Sequence, residues 1–151
     1  MHALDSLRLE RGFRHWGHDI GSDDTPPEAG LGFCVALDKR VPFIGREALL
    51  ARRGRPLARR LVSLLLDDPV PLLYHDEPIW RDGKRVGRVA SGAYGHTLGR
   101  AVALGWVEDE AGIDAAWVEG GRFEIEVALT RYPAKASLRA FFDPAGLRQR
   151  G

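Results

Sequence analysis

The 151-residue chain has one cysteine, Cys34, one methionine and no long apolar run. A single thiol excludes an intramolecular disulfide framework and a zinc or iron–sulfur site built from several cysteines. It is compatible with a reducing compartment, and we expect a cytoplasmic protein. The longest apolar stretch, residues 61–66, is interrupted by Ser63. It is far shorter than the about 20 residues of a membrane-spanning helix, so we expect no membrane partner.

An excess of either charge is also lacking, because 22 Lys and Arg oppose 21 Asp and Glu. The net charge of +1 therefore gives no argument for a nucleic-acid partner. Glycine and proline, by contrast, are abundant. An average chain of this length has about 18 glycines and prolines together, whereas this one has 18 glycines and nine prolines. They are scattered rather than repeated, which predicts many turns between short strands.

The first third of the chain alternates between short helices and glycine-rich loops. A helix is predicted over residues 3–12, where two leucines three positions apart share a face and a glycine follows. Residues 13–32 form a structured loop rich in glycine, proline and aromatics. Alternating apolar residues predict a strand over 31–37, and a second helix covers 43–51. We interpret residues 55–58 as a linker.

From residue 59 onward the pattern becomes that of strands. We predict strands over residues 60–66, 77–81, 85–90, 100–107, 115–118 and 122–129. The turn signals Asp82-Gly83-Lys84 and Glu119-Gly120-Gly121 predict two hairpins. We expect the tail, residues 132–151, to pack as an extended cover. The protein is thus predicted to be mainly β with short helices, ending in a small antiparallel barrel or sandwich.

Three groups of reactive side chains are candidates for chemistry. Residues 15–19 (His-Trp-Gly-His-Asp) contain possible metal ligands, but no second cluster completes a site. We predict hydrogen bonding within the loop and no metal. Cys34 lies in an alternating pattern, which indicates a buried apolar residue rather than a nucleophile. Ser91 and His96 lack the Gly-x-Ser-x-Gly spacing of a nucleophile elbow. We therefore predict no hydrolase chemistry at Ser91.

A basic run lies between the two halves of the sequence. Residues 39–60 contain eight Lys or Arg and one acid, Glu47, with Phe43 as the only aromatic. Nucleic-acid binding favours a continuous basic face with stacking aromatics, which is not evident here. We interpret the run as a solvated helix face and linker. Docking to an acidic partner or a polyanion stays open as the alternative.

Four segments of the sequence combine into a distinctive set. They are residues 6–20 (Ser-Leu-Arg-Leu-Glu through Gly-His-Asp-Ile), 24–31, 43–49 (Phe-Ile-Gly-Arg-Glu-Ala-Leu), and 87–92 together with 103–107. The set resembles the glycine-cleavage T-protein (aminomethyltransferase) family. Within that family, Arg14–Gly17 and Gly92–Gly99 are more similar to the folate-binding half of dimethylglycine and sarcosine dehydrogenases. The resemblance runs through nearly the whole chain.

The resemblance implies a division of the chain and a cofactor. Residues 1–57 would be the trailing part of an α+β folate-binding core, a helix and loop remnant, and 58–151 the C-terminal antiparallel β-barrel. Tetrahydrofolate is the implied cofactor. It takes up a one-carbon unit from a methylated amine. The family's catalytic aspartate and its pterin-binding glutamate belong to an N-terminal region absent from this sequence. FAD would be involved only if a further N-terminal domain exists.

Two positions here match folate-binding positions of the family. Phe13 corresponds to an aromatic, often tyrosine, so it keeps the stacking surface without the hydroxyl. A core aromatic that anchors the loop is the alternative role. Asp5 is retained from the aminomethyltransferase branch, whereas Leu4 replaces the arginine before it. The resemblance therefore implies cofactor binding by Phe13 and Asp5, without the polar group that the arginine would provide.

Two functional hypotheses follow. The leading one is the C-terminal portion of a folate-dependent one-carbon transfer protein, inactive on its own, whose small-molecule partner is folate. The alternative is a non-catalytic interaction module that needs a partner chain, or a missing N-terminal region, to complete its core. A tRNA-modification scaffold of the same fold is less favoured, because its Lys-Gly-Cys-Tyr-x-Gly-Gln-Glu motif is replaced by residues 43–47.

Overall fold

The computed structural model describes the backbone of residues 2–150 and the side chains of residues 2–148. Its elements, in chain order, are α1 (His2–Glu10), a 3₁₀ turn (Gly32–Cys34), α2 (Arg46–Arg52), β1 (Arg59–Leu66), β2 (Pro78–Arg81), β3 (Lys84–Gly95), β4 (Arg100–Glu108), α3 (Ala115–Gly120), β5 (Phe123–Val127), β6 (Thr130–Ser137) and α4 (Leu147–Arg150). Within this range no helix has both the length and the apolarity needed to cross a membrane.

Six antiparallel strands close into a barrel in the order β1-β4-β3-β2-β5-β6. The barrel closes because β1 pairs with β4 on one side and with β6 on the other. The predicted fold class, mainly β with a C-terminal antiparallel barrel behind a helix-and-loop segment, is confirmed. Of the two architectures that the sequence left open, the structure has the barrel and not the sandwich.

The strands β1 and β4 are buried on both faces. Inside the barrel, their side chains join a core that includes Leu64, Ile79 and Ile125. Outside it, the alternate side chains of the same strands pack with Leu9 of α1. As the alternation predicts, Val102, Leu104 and Trp106 share that outer face. The helix α1 and the loop after it therefore cover one side of the barrel.

The hairpin between β2 and β3 has the turn that the sequence predicts. Asp82 and Gly83 both have positive φ values, 50° and 81°, as a type I′ turn requires. The two strands pair from Arg81 opposite Lys84 onward. A two-residue Asp-Gly turn is therefore sufficient to start β3.

The predicted strand over 115–118 is wrong, because these residues form helix α3. Asp114 caps the helix: its side-chain carboxylate accepts a hydrogen bond from the backbone N–H of Trp117 at 2.7 Å. An aspartate followed by two alanines favours a helix start over a strand. The predicted turn Glu119-Gly120-Gly121 is accordingly the end of α3 rather than a hairpin.

The expectation of an extended covering tail is also wrong for its first part. Residues Thr130–Ser137 form β6, which pairs with β5 and closes the barrel against β1. The turn before it, Ala128-Leu129, contains no glycine or asparagine, so its sequence gives no hairpin signal. After β6 the chain returns to α1, where the backbone N–H of Phe142 donates to Glu10 O.

The predicted strand over 31–37 is a 3₁₀ turn, Gly32–Cys34, flanked by irregular backbone. Cys34 is exposed, which contradicts the prediction that it is buried. The alternation of apolar residues misled the interpretation because Phe33 lies on the surface, 84% exposed. The following helix, α2, is shorter than predicted and has no buried residue.

The β5–β6 turn offers a test of backbone strain. Ala128 and Leu129 have φ values of 49° and 66°, a left-handed conformation that costs residues with a Cβ about 1–2 kcal/mol each. Leu129 is 93% exposed, so its side chain adds little packing. We expect the double variant Ala128→Asn/Leu129→Gly to raise the free energy of unfolding by about 1 kcal/mol, measured by urea denaturation.

The β2–β3 turn supplies the reciprocal control, in which a glycine is replaced instead of introduced. A Cβ added at Gly83 meets nothing within 4 Å, so Gly83→Ala changes only the backbone preference. We expect that substitution to lower the free energy of unfolding by about 1 kcal/mol. Equal stabilities for the native chain and the Asn-Gly variant would show that the β5–β6 turn is unstrained.

Candidate functional site

Helix α1 is fixed on the end of the β3–β4 hairpin by polar side chains. The hydroxyl of Ser6 donates to the backbone carbonyl of Tyr94 at 2.7 Å. The carboxylate of Glu10, 1% exposed, accepts the backbone N–H groups of Thr97 and Leu98 at 2.7 and 3.0 Å. A buried carboxylate satisfied in this way holds the helix in one position and orientation.

Arg8 lies at the centre of the site. Its Nε donates to Asp5 Oδ1 at 2.9 Å, and its Nη1 donates to Asp19 Oδ2 at 2.6 Å. The same Nη1 lies 3.3 Å from the backbone oxygen of Phe13, while Nη2 donates to Ser91 Oγ at 3.0 Å. Only 11% of the Arg8 side chain is exposed. One guanidinium thus ties together α1, the loop after it and strand β3.

The loop over residues 15–19 is organised by Asp19, whose side chain is fully buried. Its carboxylate accepts the backbone N–H of His15 at 2.8 Å and the hydroxyl of Ser91. Its backbone oxygen accepts the indole N–H of Trp106 at 2.8 Å. Across the described part of the chain, no group of three or more His, Cys, Asp or Glu side chains is arranged to hold a metal ion.

Ser91 is placed for structure rather than for nucleophilic attack. The residue is 4% exposed, and its hydroxyl bonds with Asp19 and Arg8. The ring of His96 instead makes an edge contact with Tyr94, with the ring centroids 5.2 Å apart. No imidazole therefore serves as a base for this hydroxyl among the hydrogen bonds of the described residues.

Asp5 and Phe13, the two positions assigned to folate by resemblance, are joined through Arg8. The Asp5 side chain is 42% exposed and uses only Oδ1 for its bond with Arg8. That hydrogen bond lowers the pKa of Asp5 below the ordinary carboxyl value. The pair contributes stability above the ordinary pKa of 3.8, and the contribution is lost as the pH falls through the lowered pKa.

Phe13 is 51% exposed, and the guanidinium of Arg11 lies 5.7 Å from its ring centroid. The ring is thus partly accessible for stacking. Leu4, which replaces the family's arginine, is 64% exposed on the outer side of α1. Phe13 and Leu4 are therefore both exposed to solvent.

A cleft of about 810 Å³ opens beside Asp5, between α1 and the loop that precedes β2. Its walls include Leu7, Leu72 and Tyr74, which are large and exposed. Phe13 is not among its lining residues. Sequence reasoning missed this cleft because its walls come from segments about 70 residues apart and share no motif.

Exposed apolar side chains are concentrated in the first half of the structure. Thirteen large apolar residues are exposed among the described residues: Leu4, Leu7, Phe13, Trp16, Phe33, Val41, Phe43, Ile44, Val70, Leu72, Tyr74, Leu129 and Leu147. Eleven of them precede residue 75. Of these, Leu7, Leu72 and Tyr74 lie together on the wall of the cleft beside Asp5.

The basic run does not form one free cationic face. Arg59 bonds with Asp24 at 2.5 Å and stacks over the Trp106 ring at 3.8 Å. Arg46 donates to Leu37 O, and Arg60 donates to Ile113 O. These three cations stabilise local structure.

Comparison with family models gives two matches. The model described as the glycine cleavage T-protein C-terminal barrel domain matches residues 59–143. The model described as the GCVT N-terminal domain matches residues 1–39. The first of these covers more than half of the chain.

Known proteins with similar sequences are much longer than this chain. A 4-methylaminobutanoate oxidase (formaldehyde-forming) of Paenarthrobacter nicotinovorans is 48% identical over 150 residues, which are 99% of this chain and 18% of the relative. The mitochondrial sarcosine dehydrogenase of Homo sapiens is 40% identical over 151 residues, 99% of this chain and 16% of the relative. The chain thus spans less than a fifth of these relatives.

A solved structure of a known protein has a fold similar to that of this chain. The crystal structure of the glycine cleavage system aminomethyltransferase T from Bartonella henselae matches with a TM-score of 0.78 and 28% identity. The match covers 94% of this chain and 38% of that protein. The barrel, α1 and the intervening loops therefore share one arrangement with that enzyme.

Proposed function

Because the chain belongs to the glycine cleavage T-protein family, we propose that it acts as the C-terminal portion of a tetrahydrofolate-dependent one-carbon transfer protein. The protein would be of the aminomethyltransferase or sarcosine/dimethylglycine dehydrogenase type and would act on methylated amines. We place it in the cytoplasm. The observation that carries the proposal is the position of Arg8, which joins Asp5 and Phe13 in one hydrogen-bonded unit.

The residues present fit part of a folate site. Asp5 Oδ2 makes no hydrogen bond with the described residues, so it can accept one from a ligand N–H. The half-exposed ring of Phe13 offers a stacking surface. Asp5 and Phe13 would therefore hold tetrahydrofolate. Arg8, itself fixed by Asp19, would keep these two residues in a constant relative position. When bound, tetrahydrofolate supplies the nitrogen that takes up the one-carbon unit.

The same proposal divides the chain into residues 1–57, part of the folate-binding core, and 58–151, the barrel domain. The two matched ranges, 1–39 and 59–143, support this division. We propose no catalytic residue in the chain. Asp19, the buried acid at the site, is already engaged by Arg8 and Ser91 and is not free to act as a base. FAD would belong to a further domain.

The proposal is tested by binding and by turnover of the purified chain. We expect tetrahydrofolate to bind, followed by tryptophan fluorescence, and Phe13→Leu to weaken binding by about threefold to tenfold because the stacking ring is removed. Phe33→Leu is the matched control, because Phe33 is also an exposed aromatic, at 84%. Incubation with tetrahydrofolate and sarcosine should give no methylenetetrahydrofolate.

Either of two results would count against the proposal. Turnover by the chain without a partner would show that it contains its own catalytic group. Equal affinities of the native chain and the Phe13→Leu variant, or no binding to the folded chain, would remove the assigned role of Phe13 in holding folate.

The alternative, an interaction module completed by a partner chain, is favoured by the eleven exposed apolar side chains before residue 75. In addition, α2 has no buried residue, and Ile44 just before it is fully exposed. Size-exclusion chromatography with light scattering tests this alternative. We expect self-association as the concentration rises, and a well-folded monomer at high concentration would argue against it.

A further inference from the structure

Residues 32–58, which we call the α2 surface, form a continuous stretch of chain without one buried side chain. The stretch is nevertheless ordered: it contains the 3₁₀ turn and α2, and Arg46 Nε donates to Leu37 O at 2.9 Å. Val41 and Ile44 are 63% and 104% exposed. Fixing the backbone costs about 1–2 kcal/mol per residue, and burial of apolar area is the main offset. The α2 surface therefore needs a cover that the other described residues do not supply.

Positive charge is concentrated on the α2 surface. It has six Lys or Arg and two Asp or Glu, a net charge of +4. This leaves 16 Lys or Arg and 19 Asp or Glu, a net charge of −3, for the rest of the chain. Five of the six cations are exposed and have no side-chain hydrogen bond or ion pair within the described residues: Lys39, Arg40, Arg52, Arg53 and Arg55. A complementary cover is therefore acidic and has an apolar part.

The chain carries a loop with this chemistry, residues 67–72, which we call the acidic loop. The Asp67 side chain is 45% exposed, and its carboxylate lies 3.9 Å from Lys135 Nζ. Val70 is 82% exposed between two prolines, and its backbone N–H donates to Asp68 Oδ1 at 2.8 Å. Because prolines restrict the backbone, docking of this loop costs little conformational freedom. The acidic loop thus presents an apolar side chain beside two carboxylates.

The α2 surface and the acidic loop lie at opposite ends of β1. The α2 surface ends at Ala58, whose backbone oxygen accepts the N–H of Asp109, and β1 (Arg59–Leu66) then leads to the acidic loop. A strand of eight residues is about 25 Å long. Contact between the two surfaces therefore requires a second copy of the chain, and it joins different surfaces of identical molecules.

We propose that the chain associates with a second copy, in which the acidic loop of one copy docks on the α2 surface of the other. The exposed cations of the α2 surface pair with Asp67 and Asp68, and Val70 contacts Val41 and Ile44. This contact rests on the interaction-module alternative above, for which it identifies the partner chain and the two surfaces. It uses none of the residues assigned to folate.

Two variants each remove one side of the contact. Arg52→Glu/Arg53→Glu reverses charge on the α2 surface. Asp67→Asn/Val70→Ser changes the acidic loop but keeps the bond from the residue 70 N–H to Asp68. Each variant alone should associate at least about tenfold more weakly than the native chain. One charge pair at 4 Å is worth about a factor of five in water, and burial of a valine is worth about a factor of ten.

Sedimentation velocity and light scattering measure the association from about 10 µM to about 1 mM, the range of weak dissociation constants. We expect the mass of the native chain to rise with concentration. An equimolar mixture of the two variants should restore a complex of two chains, because one keeps the acidic loop and the other keeps the α2 surface.

Lys84→Glu/Arg85→Glu is the matched control. These two adjacent cations are exposed and lie outside both surfaces, so the substitution makes the same charge change elsewhere. The control should associate as the native chain does. Circular dichroism of every variant reports that it is folded.

Three results would overturn the proposal. A native chain that stays monomeric at the highest concentration would also remove the interaction-module alternative. Self-association that both variants retain, or that the control loses equally, would keep that alternative and exclude the two surfaces. A mixture of the variants no larger than either variant alone would show that the acidic loop does not dock on the α2 surface. Because folate appears in none of these measurements, the tetrahydrofolate proposal stands or falls separately.

Discussion

Replacing Asp19 by alanine is expected to lower the free energy of unfolding by about 3–5 kcal/mol, the usual cost of removing one partner from a buried ion pair. The variant leaves Arg8, only 11% exposed, without its closest partner, and it removes acceptors from Ser91 and from the backbone of His15. Urea denaturation followed by tryptophan fluorescence measures the loss.

A matched control lies in the same loop. Asp23 is exposed and makes no hydrogen bond or ion pair with the described residues. We expect Asp23→Ala to change stability by less than about 0.5 kcal/mol. If Asp19→Ala also stayed within that range, α1 would not depend on the Arg8–Asp19 pair for its position on the barrel.

The same pair shows what the sequence could predict about the site. The expectation that residues 15–19 have a local hydrogen-bonding role is sound, because a loop bearing imidazoles and a carboxylate needs hydrogen-bond partners. Asp19 does accept the backbone N–H of His15, but its other partners are Arg8, Ser91 and Trp106, and the last two lie more than 70 positions away. No local pattern carries information about such distant pairs.

For the fold, prediction succeeded where one residue type determines the backbone. Asp82-Gly83 defined a hairpin, and the alternation through Val102, Leu104 and Trp106 defined the outer face of β4. It failed where tertiary contacts override local preference. The turn Ala128-Leu129 adopts positive φ because β5 and β6 must pair. Neither residue type predicts a hairpin turn at this position.

The prediction of a strand over residues 31–37 failed for a different reason. Apolar residues alternate there, but the segment pairs with no strand: Phe33 is exposed, whereas Leu31 packs against the outer cluster of the barrel. Alternation predicts a strand only when one of its faces is covered by the same chain. Exposure of Cys34 follows directly from this missing cover.

Replacing Gly87 by alanine is expected to cost about 3 kcal/mol or more, or to prevent folding. Gly87 lies in β3 between β2 and β4, opposite Ile79 on one side and Val107 on the other. A Cβ built there would overlap the backbone oxygen of Trp106 and lie 2.8 Å from its carbonyl carbon and 3.0 Å from Val107 Cα. Backbone atoms cannot move aside as a flexible side chain can, so the strands must separate.

We expect Gly87→Ala to disturb the candidate site as well as the barrel. Trp106 donates its indole N–H to Asp19, so a shift of the Trp106 backbone also strains the loop that holds Arg8. Gly120→Ala is the control: Gly120 ends α3, an added Cβ meets nothing within 4 Å, and alanine favours a helix by up to about 1 kcal/mol. Thermal unfolding should therefore separate the two variants clearly. A Gly87→Ala variant as stable as Gly120→Ala would mean that β3 and β4 tolerate a wider spacing, and that the close approach at Gly87 is not what fixes Trp106.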